Sequence, residues 1–269
     1  LARFTLFFTQ SLSRTRVFNL LSLALGNNGG LFVTQNTTLV TLDMSQIQVT
    51  EGTSLWRTGI KEYGIFNNCT ALTEVILPAA EEAAKFTKLN MAFEGCTALK
   101  DIDLSLFAGA MDIERAFKGT AIEKADLSAC TALGSTVSAF EGCAALQEVI
   151  LPACFVADNY TFADCTGLKL IDYTAYTDTQ DAPAVKNNTF SGIDDLKAVT
   201  LKVSGLNHEL FEAHKIWLDF DIEYDASGIS GMKSDGKAKP LTVYTVDGRY
   251  VGTYAPGTDW RSYLPQRGV

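Results

Sequence analysis

Phe66-Asn67-Asn68-Cys69-Thr70-Ala71-Leu72-Thr73-Glu74-Val75-Ile76-Leu77-Pro78 recurs 27 residues later as Phe93-Glu94-Gly95-Cys96-Thr97-Ala98-Leu99-Lys100-Asp101-Ile102-Asp103-Leu104-Ser105. The pattern returns from Phe140 through Cys143 and Leu146 to Leu151-Pro152, and from Phe162 through Cys165 and Leu168 to Tyr173. Weaker copies start at Phe117, with Thr120 in the cysteine slot, and at Phe190, with Ile193 there. An earlier copy holds Val33, Asn36, Leu39, Leu42 and Met44. Successive anchoring phenylalanines lie 27, 24, 23, 22 and 28 residues apart. A period in the twenties built on Leu-x-x-Val/Ile-x-Leu is the mark of a solenoid.

Within one copy, alternation at Val75 and Leu77 is strand-like, and Leu72 enters the same core. Pro78, or Ser105 in the next copy, ends the strand, because proline cannot continue a central ladder. The return limb carries a second apolar set, Phe86, Leu89 and Met91 in one coil and Phe107, Met111 and Ile113 in the next. A single coil buries too little to offset the entropy of ordering it, so coils must stack. The expected fold is a β-rich solenoid of stacked coils.

The cysteines fall into two columns of such a stack. Cys69, Cys96, Cys143 and Cys165 share the slot three residues after the phenylalanine, and Cys130 and Cys154 follow Leu127 and Leu151 by three. Disulfides and a metal cluster are the alternatives to buried free thiols. No Cys-x-x-Cys and no neighbouring histidine supports a metal. Stacked strands hold equivalent side chains about 4.8 Å apart, wider than the roughly 3.8 Å between disulfide Cβ atoms. The spacing therefore favours small buried hydrophobes.

Phe-x-x-Cys-Thr-Ala-Leu-x-x-Val-x-Leu-Pro resembles the BspA-like leucine-rich repeat of bacterial cell-surface proteins, over about residues 31–202. The resemblance implies a leucine-rich-repeat superhelix that is exported, binds or adheres, and has no enzyme activity of its own. Thr120, Ile193 and Lys202, which stands where proline is usual, depart from the pattern without suggesting another fold.

Outside the stack, residues 1–30 read as an N-terminal cap, with Val17 to Gly26 as a strand or irregular first coil and Asn27-Asn28-Gly29-Gly30 as a turn. Residues 203–225 read as a C-terminal cap: Asn207 caps a short helix through about Trp217, and Leu218 to Tyr224 form a last strand. The Gly, Ser, Lys and Asp-rich stretch 226–240 reads as a linker. Residues 241–269 read as a small β-hairpin module turning at Asp247-Gly248. Val243 to Arg249 with Leu264 to Val269 resembles part of the C-terminal sorting domain of type IX secretion cargo in the Bacteroidetes; an accessory hairpin is the alternative.

The chain has 269 residues, 22 Lys+Arg against 31 Asp+Glu and a formal charge of −9, so it lacks the footprint of a nucleic-acid binder. No apolar run reaches the roughly 18 residues that span a bilayer. His208 and His214 are the only histidines. His208-Glu209-Leu210-Phe211-Glu212 has Glu212 where a zinc-protease helix needs its second histidine, and no nucleophile elbow or phosphate loop occurs. No catalytic residue, metal ligand or cofactor is expected. The Asn-x-Ser/Thr stretches at Asn36, Asn68, Asn159 and Asn187 are common by chance.

With Leu72, Val75 and Leu77 inward, alternate residues point outward. One outward column reads Glu74, Asp101, Lys124, Glu148, Leu170 and Ala198; the next reads Ile76, Asp103, Asp126, Ile150, Asp172 and Thr200. Glu74, Asp101, Asp103, Asp126, Glu148 and Asp172 form a mostly acidic strip that is the candidate binding face for a host extracellular protein or glycan. A solvated face whose charges deter edge association is the alternative. The expected protein is a monomeric, secreted or surface binder, with a passive spacer or, less favoured, a hydrolase as rivals.

Overall fold

The computed structural model describes residues 17–19, 35–49, 51–57, 63–225, 241–244 and 250–254. In chain order the first strands are β1 (Val17–Asn19), β2 (Thr41–Asp43), β3 (Thr53–Ser54), β4 (Trp56–Arg57), β5 (Tyr63–Gly64), β6 (Glu74–Ile76) and β7 (Phe86–Lys88). They are followed by β8 (Lys124–Asp126), β9 (Glu148–Ile150), β10 (Leu170–Tyr173), β11 (Thr200–Ser204), β12 (Asp221–Asp225), β13 (Leu241–Tyr244) and β14 (Tyr250–Tyr254). Among the described residues the α-helices are α1 (Ala80–Ala83) and α2 (His208–Ala213). The chain divides into two compact units, 1–228 and 229–269.

In the first unit successive coils, the one around Asp101–Asp103 excepted, contribute strands to parallel ladders, as a repeat solenoid requires. Strands β1, β2 and β6 form a three-stranded sheet, and β12, β11, β10, β9 and β8 a five-stranded one, in those orders. Val75 lies beside Leu42, and Ile171 lies between Val149 and Leu201. Equivalent slots therefore become rows. The coil around Asp101–Asp103 separates the two sheets: its residues form no strand, and a 3-10 turn over Leu104–Leu106 follows.

A stack of rings runs through the core. Phe66, Phe93, Phe117, Phe140, Phe162 and Phe190 lie face to face, with centroids 5.5 to 5.8 Å apart and planes within 20°. Trp217 and Phe220 close the C-terminal end edge-on to Phe190, at 5.7 and 4.9 Å. Two residues after each phenylalanine the backbone takes positive φ, at Asn68, Gly95, Gly119, Gly142, Asp164 and Gly192. These are the residue types that enter the left-handed region most cheaply. The N–H groups of Phe66, Phe93, Phe117, Phe140 and Phe162 reach the next coil, as in Phe93 to Ala116 O at 2.8 Å and Phe140 to Thr161 O at 2.9 Å.

The return limb differs from the sequence reading. Phe86, Leu89, Phe107 and Ile113 are buried, but Met111 is 53% exposed and Met91 is half-buried with φ 54°. The core positions there are Phe86, Leu89 and Ala92, then Phe107, Ala110, Ile113 and Ala116, a spacing of three. The limb is a tight turning segment, so strand alternation is the wrong period for it.

The copy starting at Phe190 is also out of register with the simple reading. Thr200, not Ala198, lies beside Leu170, and Lys202, not Thr200, lies beside Asp172. A 3-10 turn over Leu196–Ala198 takes up the two extra residues. At the C-terminal end Asn207 precedes α2 without capping it by its side chain. Its amide instead donates to Tyr176 O and Asp178 O, at 3.0 and 2.8 Å, tying the 176–183 loop to the stack. β12 pairs in parallel with β11 as a further rung. In the second unit β13 pairs antiparallel with β14; the Asp247-Gly248 turn, residues 226–240 and 255–269, and most of 1–30 lie outside the described residues.

Candidate functional site: the outward strand face

The parallel ladder fixes which side chains share the outer surface. One row runs Thr41, which is buried, and Glu74 on the first sheet and Lys124, Glu148, Leu170, Thr200, Asp221 on the second. The neighbouring row runs Asp43, Ile76 and then Asp126, Ile150, Asp172, Lys202, Glu223. Asp101 and Asp103 stand in the coil between the sheets. Glu74, Asp101 and Asp103 are exposed; Asp126, Glu148 and Asp172 are half-buried.

The six candidate acids have different local duties. Asp103 Oδ1 accepts from the N–H and Oγ of Ser105 at 3.1 and 2.5 Å. Asp126 does the same for Ser128 at 3.0 and 2.6 Å, and Asp172 for Thr174 at 3.0 and 2.7 Å. Such Asx turns satisfy a backbone donor where the strand ends. Asp-x-Ser/Thr, seen also at Asp43-Met44-Ser45, was the sequence signal for this role. Glu148 pairs with Lys124 at 2.9 Å, and that carboxylate's hydrogen bond and charge raise the Lys124 pKa. Glu74 accepts from Thr41 Oγ1 at 3.0 Å. Pattern reading weighted the strip as acidic; Lys124 and Lys202 interrupt it, the latter brought onto the face by the two-residue shift.

Beneath the face the thiols are all unbridged, and five of the six are buried. Cys96 Sγ donates to Phe66 O at 3.1 Å, Cys143 to Phe117 O at 3.0 Å and Cys165 to Phe140 O at 3.1 Å. Thr120 fits the same column because its hydroxyl donates to Phe117 O at 2.8 Å and lies 3.3 Å from Cys143 Sγ. Burial pushes the Cys143 thiol up to about 11 and Cys130 up to about 12. Thiols held protonated are poor nucleophiles and poor metal ligands. Cys154 keeps its column with Cys130, its Sγ donating to Cys130 O at 3.4 Å, but the residue is exposed.

His208 stacks on Tyr224 at 3.9 Å, and its Nδ1 lies 3.2 Å from Gly205 O. His214 accepts the Ile216 N–H at Nδ1, and burial, with the Lys215 charge, lowers its pKa. Among the described residues no group of three or more His, Cys, Asp or Glu side chains converges as a metal site. Among them, too, no helix is long and apolar enough to cross a membrane.

The sequence matches the BspA type Leucine rich repeat region, in six copies, over residues 58–181 and 114–217, which together exceed half the chain. The chain belongs to the BspA-type leucine-rich-repeat family. Leucine-rich-repeat proteins generally bind other proteins and are generally without catalytic activity. No curated protein sequence matches this BspA-type chain. A solved leucine-rich repeat protein from Bacteroides ovatus ATCC 8483 is 14% identical, with a TM-score of 0.31. The match covers 69% of this chain and 59% of that one, less than two thirds of its length.

Proposed function

We propose that this BspA-type chain is a secreted or cell-surface, non-catalytic binding protein that recognises a host protein or glycan through the outward strand face. The observation that carries the reading is the register: outward side chains of successive coils align in rows along the parallel ladder. Ligand groups spaced at about 4.8 Å meet a repeating set of carboxylates and amines. Glu74, Asp101, Asp103, Asp126, Glu148 and Asp172 are the contacts proposed. In Asp103, Asp126 and Asp172 one oxygen holds the turn, which leaves the other for a ligand donor.

The wider organisation proposed is the one read from the sequence. Caps at 1–30 and 203–225 flank a superhelical stack at 31–202, and a linker at 226–240 leads to a sorting-like β-hairpin module at 241–269. Such a protein acts as a monomer delivered to the surface by a type IX route.

Glycan and extracellular-matrix arrays test the proposal. Saturable, salt-sensitive capture is expected, and it is lost when Asp101→Asn, Glu74→Gln and Glu148→Gln are combined. Asp103→Asn, Asp126→Asn and Asp172→Asn keep the turn acceptor and remove the charge, so they separate binding from folding. Capture that survives all six changes eliminates the face, and absence of any capture favours a passive spacer.

A further inference from the structure

β12 is the last strand of the five-stranded sheet, and among the described residues nothing pairs with its outer edge. In a parallel ladder a residue's N–H and C=O point to one side and its neighbour's to the other. Asp221 N–H donates to Val199 O at 3.1 Å, so the backbone groups of Asp221 and Glu223 face β11. Those of Ile222 and Tyr224 therefore face outward. Two donors and two acceptors at strand spacing are a template for a further strand.

The side chains specify what that strand carries. Across the sheet Asp172, Lys202 and Glu223 lie in one row, with the sign of charge alternating strand by strand. The next position in that row calls for a base. Asp221, two residues earlier on the same face, adds a second exposed carboxylate. A second copy of this chain pairing through β12 sets these carboxylates against each other, and like charges directly opposite are destabilising. On the inner face Ile222 is half-buried, and Tyr224 is 47% exposed against the His208 ring. A cleft of about 410 Å³ lined by Lys197, Glu212, Leu218, Phe220, Asp221 and Ile222 opens beside the start of the strand. Lys197 is held on the body of the stack, its Nζ donating to Leu218 O and Phe220 O at 2.6 and 2.9 Å.

We propose that the outer edge of β12 is a second binding site, which takes an extended segment of a partner protein as an added strand. That segment has Lys or Arg at alternate positions and apolar residues between them. The site lies at the β12 border of the outward face, where Asp221 and Glu223 end its two rows, and binding here survives substitution of Glu74, Asp101 and Glu148 in the earlier coils.

The probe is a fluorescein-labelled heptapeptide of alternating lysine and valine, titrated into the full chain at low ionic strength and read by anisotropy. Saturable binding is expected, with the Ile222 and Tyr224 amides exchanging freely in the unbound protein and becoming protected in the complex. Methylating alternate peptide amides keeps the charge and removes the ladder bonds, and weakens binding about tenfold. Tyr224→Pro removes an outward N–H without costing a β11 bond and has a similar effect, while Tyr224→Ala retains binding. Asp221→Lys with Glu223→Lys abolishes it. A glutamate–valine heptapeptide does not bind. Binding indifferent to amide methylation reduces the effect to charge adsorption and overturns the proposal. So does protection of both amides in the free protein, which means the edge is already covered, by the chain itself if light scattering gives a monomer and by a second copy if it gives a dimer.

Discussion

Removing one ring from the middle of the phenylalanine stack tests the architecture most directly. Phe140 is fully buried, with Phe117 on one side and Phe162 on the other, each at 5.6 Å and within 12° of parallel. Truncation of a buried phenylalanine to alanine costs about 3–5 kcal/mol, because the lost transfer energy is joined by a cavity term. Two aromatic pairs are broken at once, each worth about 1 kcal/mol beyond its area, so Phe140→Ala belongs in the upper half of that range, about 4–5 kcal/mol. Phe140→Leu keeps much of the volume but no ring and is expected to cost about half as much. The loss is a large part of the roughly 5–15 kcal/mol that holds an ordinary domain. In a stack whose coils touch only their neighbours, a weak middle coil also uncouples the two ends. Urea unfolding followed by far-UV circular dichroism and by Trp217 fluorescence, with Trp56 and Trp260 replaced by Phe, measures both effects. The midpoint falls, the slope decreases and the two probes separate. A cost below about 1.5 kcal/mol, or Phe140→Leu as damaging as Phe140→Ala, refutes the stacked-ring account.

Native-state labelling with a maleimide is expected to modify Cys154 rapidly and to leave the other five thiols until unfolding, since only Cys154 is exposed; mass spectrometry reads the count. Alkali is expected to destabilise the fold. Cys143 and Cys130 are raised from near 9 to about 11 and about 12, so the folded state keeps protons that the unfolded chain releases. Their contribution is complete below pH 9 and is lost as pH rises toward 11 and 12, at about 1.4 kcal/mol per pH unit for each thiol. Urea midpoints at pH 8 and 10 measure the loss, and Cys143→Ala makes the fall shallower. Gly109→Ala places a Cβ 1.9 Å from Ala84 O, a backbone atom that cannot move aside, and is expected to cost about 1–3 kcal/mol by thermal melting.

The stack itself was legible because every coil repeats the same demands at the same slots. Phe66, Phe93 and Phe140 announce the rings, Leu72 and Leu99 the inner wall, and Thr120 in a cysteine slot still reads as a small side chain with a hydrogen to donate. The Asp-x-Ser/Thr turns were equally open to view, but their acids look like surface charge until the hydrogen bonds are drawn. Met111 reads as core and is exposed, because the limb it lies on turns with a period of three. The C-terminal helix start shows the same limit: Asn207 precedes α2, as a capping residue would, yet its amide is taken by a loop some thirty residues earlier.

What the sequence by itself determined is therefore the repeating part: coils of about two dozen residues, stacked so that like faces like. Local periodicity suffices there, since each coil meets only its neighbours. The tertiary structure decided what does not repeat: the two-residue shift that puts Lys202 between Asp172 and Glu223, the exposure of Cys154, and the outer edge of β12, with which no described residue pairs. Those depend on how unequal connections are taken up and on where the stack stops, and neither is written in the pattern of any single coil.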